Sequence, residues 1–286
     1  MLSYITINVD PVLFHLGPFP VRWYGLMYAV GIAVALWVTL PVAERHGLSR
    51  DAIYAVFWIV TIAGLIGGRL YYVAQNDPLS YLRAPNRILA LWEGGMAFYG
   101  AVFLGVPVAF VAARRYGIPF LPLLDIAALF APLGQTIGRV GNIVNGDVVG
   151  YPSTLPWATA YANPHAFARP LCVPSVPCVA FQPAAAYELL FSAGLFALLW
   201  SLRDRPWASG LHFMLYLALY SAGQLILFAW RDNVYVLGPL KQAQVTALVV
   251  LVVLVPLTYW LARRKDQTLI ARDAVAAPSA PDSVAG

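Results

Sequence analysis

Gly138-Arg139-Val140-Gly141-Asn142-Ile143-Val144-Asn145-Gly146-Asp147 ends a strongly apolar run with an arginine, two asparagines and a carboxylate. A charged side chain at bilayer depth costs roughly 2.5 to 3.5 kcal/mol on insertion scales, so such residues face a protein interior or a polar cavity. The stretch therefore predicts a polar site inside a membrane protein. Arg139 stands one turn before Asn142, and Gly138, Asn142 and Asn145 follow at i, i+4 and i+7, which places the polar groups near one helical face. Asn145-Gly146-Asp147 reads as the turn that ends the helix.

Composition agrees with that setting. Of 286 residues, 60% are hydrophobic and 11% charged, and the mean hydropathy is +0.70, outside the range of soluble domains. A span needs about 20 mostly apolar residues, and such runs recur at about 23–43, 53–75, 94–113, 119–142, 184–202, 207–230 and 243–262. The expected fold is all-α: a polytopic membrane protein with about seven transmembrane helices, an extracytoplasmic segment over 143–183 and a disordered cytoplasmic tail. Residues 1–262 form the transmembrane domain. Residues 263–286, rich in Ala, Pro and Ser, form the tail. Residues 1–20 lack the basic, apolar and small-residue succession of a removable signal peptide, so the first span is expected to stay.

Basic residues set the orientation. Arg45 with Arg50, Arg114 with Arg115, Arg203 with Arg205, and Arg263, Arg264 and Lys265 all fall on one side, which the positive-inside rule assigns to the cytoplasm. The amino terminus and segment 143–183 then lie outside, and the carboxyl terminus inside. Arg22, Arg69, Arg83, Arg87, Arg139, Arg169, Arg231 and Lys241 lie on the outer face, where topology does not explain them. They are the functional lead. The net charge of +5 does not signal nucleic acid, because the basic residues are dispersed among spans.

The remaining polar features are less directive. Cys172 and Cys178 in the external segment could oxidise to a small-loop disulfide, or the prolines between them could hold the sulfurs apart. His15, His46, His165 and His212 stand near no other ligand type at recognisable spacing, so neither a metal nor a cofactor is expected. Asn76 to Trp92 reads either as an interfacial amphipathic segment or as a solvated loop. Asp125, mid-span in the fourth helix, reads as a buried hydrogen-bonding partner rather than a proton-transfer group.

The topology brings polar elements of six spans to one depth: Arg22, Trp23 and Tyr24; Gly67, Gly68, Arg69 and Tyr72; Glu93, Gly94, Gly95 and Tyr99; Arg139, Asn142 and Asn145; Tyr187 and Glu188; and Arg231. Aromatic residues and arginine at a span end also form ordinary interfacial belts. A Gly-Gly pair is more often helix packing than ligand contact.

Gly138-Arg139-x-Gly141-Asn142-x-x-Asn145-Gly146-Asp147 resembles the hallmark of the prolipoprotein diacylglyceryl transferases, bacterial membrane enzymes that lipidate lipoprotein precursors. Arg22-Trp23-Tyr24-Gly25, Gly67-Gly68-Arg69-Leu70 and Trp92-Glu93-Gly94-Gly95-Met96 resemble the family's motifs on the first three spans. Pro183 with Tyr187-Glu188 resembles its fifth-span motif. The resemblance implies that a lipobox cysteine thiol of a preprolipoprotein attacks the glyceryl carbon of phosphatidylglycerol in the inner membrane and that glycerol phosphate leaves. It makes phosphatidylglycerol, lipobox signal peptides and membrane lipids the partners. Arg139 is then the phosphate-binding residue, with Asn142, Tyr24 and Tyr99 beside it in catalysis. Asn145, Asp147, Arg69, Glu188, Arg231, Gly94 and Gly95 line the substrate site.

The chain departs from the family pattern in several places. Tyr99 stands where the family usually has a histidine proposed to accept a proton, and Gln224 and Phe228 stand where its sixth span carries arginine and glutamate. Asp147 replaces a glutamate, and Gln182-Pro183-Ala184-Ala185 lacks a histidine and a glutamine. Joint loss of the sixth-span charges avoids leaving either one unpaired in low dielectric, and Arg231 or Arg69 could supply the missing cation. Two other readings stand beside the transferase: a non-catalytic paralogue that binds phospholipid or lipoprotein, and a transporter, for which the spans show no matching halves.

Overall fold

The long apolar runs fold as helices, which keep every backbone hydrogen bond within the segment, as hydrocarbon demands. The computed structural model describes residues 4–17, 19–75, 78–89, 98–173 and 178–263. The helices are α1 (Trp23–Arg45), α2 (Arg50–Gln75), a short α3 (Pro78–Arg83) followed by a 3-10 turn (Pro85–Ile88), α4 (Phe98–Arg115), α5 (Phe120–Asn145), α6 (Ala184–Leu202), α7 (Leu211–Trp230) and α8 (Gln242–Arg263). Among the described residues, α1, α2, α5, α6 and α7 are long and apolar enough to cross a membrane. Helices α4 and α8 occupy the places of the other two expected spans, so the number with clear spanning character is five. The helical class stands. The expected tail lies outside the described residues, apart from Arg263 at the end of α8.

Glycines pair the helices, because lipid supplies no hydrophobic drive between them and close backbone approach must do so. A Cβ on Gly67 would sit 2.3 Å from the Gly100 carbonyl oxygen, and one on Gly100 would sit 2.2 Å from that of Gly67, locking α2 to α4. Gly31 and Gly134 let α1 cross α5 in the same way, with a Gly31 Cβ only 2.9 Å from the Gly134 oxygen. The main apolar core gathers Leu40, Val42, Ile53, Ala113, Leu129 and Leu199 at the end of the bundle that carries Arg45 and Arg203. Asp125 belongs to this end. It lies in the second turn of α5, nearer the helix start than its expected mid-span depth, and accepts the Gly210 and Phe213 backbone N–H groups at 2.7 and 3.0 Å. It thus caps α7, as its reading as a buried hydrogen-bonding partner requires.

The opposite end carries the strands, all short. β1 (Ile5–Ile7) runs parallel to β4 (Thr159–Tyr161) with Ile5 opposite Thr159, and β2 (Val12–Leu16) pairs antiparallel with β3 (Phe19–Arg22). β5 (Tyr235–Leu237) and β6 (Leu240–Lys241) make a hairpin between α7 and α8. Bridges from Phe181 to Pro152 and Thr159, and from Gly150 to Arg231, weld the segment after α5 onto the helix ends. Cys172 and Cys178 are disulfide-bonded with Cα atoms 4.6 Å apart, so the intervening prolines do not separate them. In the connection after α2, Leu79, Leu82 and Leu89 are exposed beside Arg83 and Arg87, which favours its reading as an interfacial amphipathic segment.

Candidate functional site

The last turns of α5 assemble the polar centre. Arg139 Nη1 donates to Asn142 Oδ1 at 3.2 Å, one turn on, and Asn142 Nδ2 donates to both carboxylate oxygens of Asp147 at 3.2 and 3.0 Å. Asn142 is fully buried while Asp147 is exposed, so the amide relays between a half-buried guanidinium and a solvent-facing carboxylate. The helix stops at Gly146, which takes a left-handed φ of 71°. A side chain there would also meet the Tyr161 ring at 2.9 Å, so glycine satisfies both the turn and the packing. Tyr161 in turn donates its hydroxyl to the Ile143 carbonyl at 2.9 Å. Burial pushes the Tyr161 phenol up to about 12, which keeps it a donor.

Glu188, at the start of the second turn of α6, is the anionic hub. Its carboxylate is 3% exposed and bridges Arg139 through Oε2 and Arg231 through Oε1, the latter at 2.9 Å. Taking a carboxylate out of water costs several kcal/mol, and a charge-assisted hydrogen bond from Arg231 together with the ion pair to Arg139 offset that. Arg22 closes the cluster from β3, donating Nη1 to Asn145 Oδ1 at 3.2 Å and to the His165 carbonyl at 3.4 Å, with its guanidinium 4.7 Å from the Phe167 ring centre. Two guanidiniums, of Arg139 and Arg231, thus share the single Glu188 carboxylate. The surplus is positive, and a phosphodiester would neutralise it.

The backbone of Tyr24 packs on Gly141, where a Cβ would lie 2.8 Å from the Tyr24 Cα, and the ring lies against Tyr28 with centroids 4.7 Å apart. Of the expected site residues, Arg139, Asn142, Asn145, Asp147, Glu188, Arg231 and Tyr24 therefore gather near the ends of α1, α5, α6 and α7. Arg69 is different: it is 4% exposed and donates to the Ile88 and Arg87 carbonyls at 2.9 and 2.6 Å, so these bonds serve the connection between α2 and α4. Gly94 and Gly95 lie outside the described residues, and so does the side chain of Tyr99, whose backbone falls in the first turn of α4. Tyr161 and Lys241 support the cluster although sequence reasoning did not place them in it. Lys241 carried a signal as an outer-face cation; Tyr161 carried none.

The chain is similar to known proteins over most of its length. The family described as prolipoprotein diacylglyceryl transferase matches residues 11–260. A phosphatidylglycerol–prolipoprotein diacylglyceryl transferase of Trichormus variabilis is 35% identical over 254 residues, covering 86% of this chain and 88% of the relative. Proteins of the same name from Symbiobacterium thermophilum and Lactobacillus acidophilus are each 32% identical, covering 91% and 93% of this chain and 96% and 93% of their own lengths. Matches of that extent make this chain a member of the prolipoprotein diacylglyceryl transferase family.

Proposed function

We propose that this protein transfers the diacylglyceryl group of phosphatidylglycerol to the lipobox cysteine of a preprolipoprotein, the first step of bacterial lipoprotein maturation. The names of its relatives specify phosphatidylglycerol and a prolipoprotein as substrates. The observation that carries the reading to this chain is a cationic cluster where the apolar helices end, in which Arg139 and Arg231 share a buried glutamate and Arg22 is held on Asn145. In the reaction a carbon–sulfur bond forms at the glyceryl carbon, the carbon–oxygen bond to phosphate breaks, and glycerol phosphate departs with the extra negative charge. Arg139 binds that phosphate. Its planar fork suits a phosphodiester better than a point charge does, and donors fixed before reaction spend nothing on reorganisation as charge develops. Asn142 and Asn145 hold Arg139 and Arg22 in place, and Tyr24 lines the approach.

The thiol proton needs an acceptor. A phenol with a reference pKa near 10 is almost wholly protonated at neutral pH, so Tyr99 is a poor base. Asp147 is exposed and oriented by Asn142, and we assign it that role. The positive-inside bias puts the cluster at the outer face of the inner membrane, with seven spans in all, the amino terminus outside and the carboxyl terminus inside. The cysteine of a lipobox would meet the lipid there.

The test is transfer to a lipobox peptide, followed by mass, using the purified protein in phosphatidylglycerol-containing micelles. Arg139→Ala is expected to lose about 100- to 1,000-fold in turnover, the cost of removing one preorganised charge-stabilising donor. Unchanged turnover removes Arg139 from the mechanism. Failure to complement a strain depleted of its own transferase, with membrane insertion and phosphatidylglycerol binding retained, would instead identify a non-catalytic paralogue.

A further inference from the structure

Helix α7 ends without a local device for its last carbonyls. Its C-cap, Arg231, is extended (φ −85°, ψ 135°), and the residues that follow are Asp232 and Asn233 rather than a left-handed glycine. The terminal C=O groups must then be satisfied from elsewhere. The Tyr151 backbone N–H donates to Trp230 O at 3.1 Å, and one turn before the orphan carbonyls Gln244 Nε2 donates to Leu225 O at 3.0 Å. Lys241 takes two more: its Nζ donates to Phe228 O at 2.6 Å and to Arg231 O.

Lys241 is 2% exposed. Its ammonium lies 4.7 and 5.4 Å from the ring centres of Tyr151 and Tyr235, whose hydroxyls are 2.9 Å apart. Burying an ammonium costs several kcal/mol. The negative end of a helix and two aromatic faces offset that cost. Lysine at this place is more than a helix stop, because the residue whose carbonyl it grips is also the one whose guanidinium holds Glu188.

We infer that Lys241 is a positioning residue for the phosphate site: it fixes the last turn of α7 so that Arg231 shares Glu188 with Arg139, leaving part of the Arg139 fork for an anionic head group. The inference rests on the transferase reading of that site. When the ammonium is removed, Arg231 swings out, Glu188 turns its whole charge on Arg139, and Arg139 binds phosphodiester less tightly. The same cation bears on a departure of this chain from the family pattern. Where a charged pair is usual on this helix, Gln224 and Phe228 are buried and neutral, and the Lys241 ammonium sits on the Phe228 carbonyl instead.

The experiment measures phosphatidylglycerol-dependent transfer by the full-length protein. Turnover by the unaltered chain tests the transferase reading by itself. Given that turnover, Lys241→Met is expected to raise the KM for phosphatidylglycerol on the order of tenfold while kcat changes by less than about threefold. Lys241→Arg, which keeps the charge, stays within about threefold of the unaltered KM. Lys241→Gln retains a donor without the charge, gives an intermediate KM and covers the case in which the methionine variant does not fold. In an Arg231→Met background, Lys241→Met has no further effect, because the two act through one contact. An unaltered KM in folded Lys241→Met or Lys241→Gln, or effects of Lys241→Met and Arg231→Met that multiply independently, overturns the inference.

Discussion

A carboxylate beside an apolar run has to be compensated, and for Glu188 the compensation is the pair of guanidiniums of Arg139 and Arg231. Glu188→Gln keeps the shape of the side chain but leaves two cations facing each other without their anion. The variant is expected to lose about 3 kcal/mol or more of stability and to unfold at lower temperature, as thermal denaturation in detergent would record. An unchanged Tm would show that the cluster is not held by charge. The proton assignment is tested at the same scale: Asp147→Asn should lower kcat about 100-fold or more with little change in the KM for phosphatidylglycerol, whereas Tyr99→Phe should stay within about threefold. The reverse ranking would return the proton to Tyr99. The Arg139–Asn142–Asp147 relay was legible in the sequence because its members lie about one turn apart along the chain, whereas the Glu188 partner of Arg139 lies on another helix. Tyr161 was not, because its importance comes from Gly146 and Ile143 on another element, and nothing in its own neighbourhood announces that contact.

Elements were legible wherever hydrophobic length alone decides. Helices α1, α2, α5, α6 and α7 follow from runs of apolar residues, and the α5 stop at Asn145-Gly146 follows from turn chemistry. The strands did not follow. β1 and β4 are three residues each and pair across more than half the chain, so no alternation long enough to read exists in either. Helix pairing is the level at which glycine acts. Gly67→Ala drives a methyl into the Gly100 carbonyl oxygen, a backbone atom that cannot rotate away, and α2 must part from α4. The expected cost is about 1 to 3 kcal/mol, seen as a Tm lower by several degrees, about 2 to 4 °C per kcal/mol, and as reduced folded yield. Gly194→Ala is the control. It faces open space on α6 and should be neutral or slightly stabilising. Equal behaviour of the two variants would mean that the glycine contact does not hold the pair together.

The whole molecule is polarised, with an apolar core at the end bearing Arg45 and Arg203 and a charged cluster with its disulfide-stapled cover at the other. Two independent features orient that axis. Paired arginines at the core end favour the cytoplasm, and a disulfide between Cys172 and Cys178 favours an oxidising compartment at the cluster end. Neither feature depends on the other, and both support the proposed orientation with the cluster outside. Thiol labelling reads the orientation directly, because the chain has only these two cysteines. With both changed to serine, Val234→Cys at the cluster end, where the native residue is 85% exposed, should react with a membrane-impermeant maleimide in intact cells. Tyr116→Cys at the core end, 46% exposed in the native chain, should react only after the membrane is opened. A thiol substrate that matures outside the cytoplasm can be reached by Arg139 and Asp147 only in that orientation. Labelling in the opposite order would leave the cluster facing a compartment without its acceptor, and the transferase reading would fall with the topology.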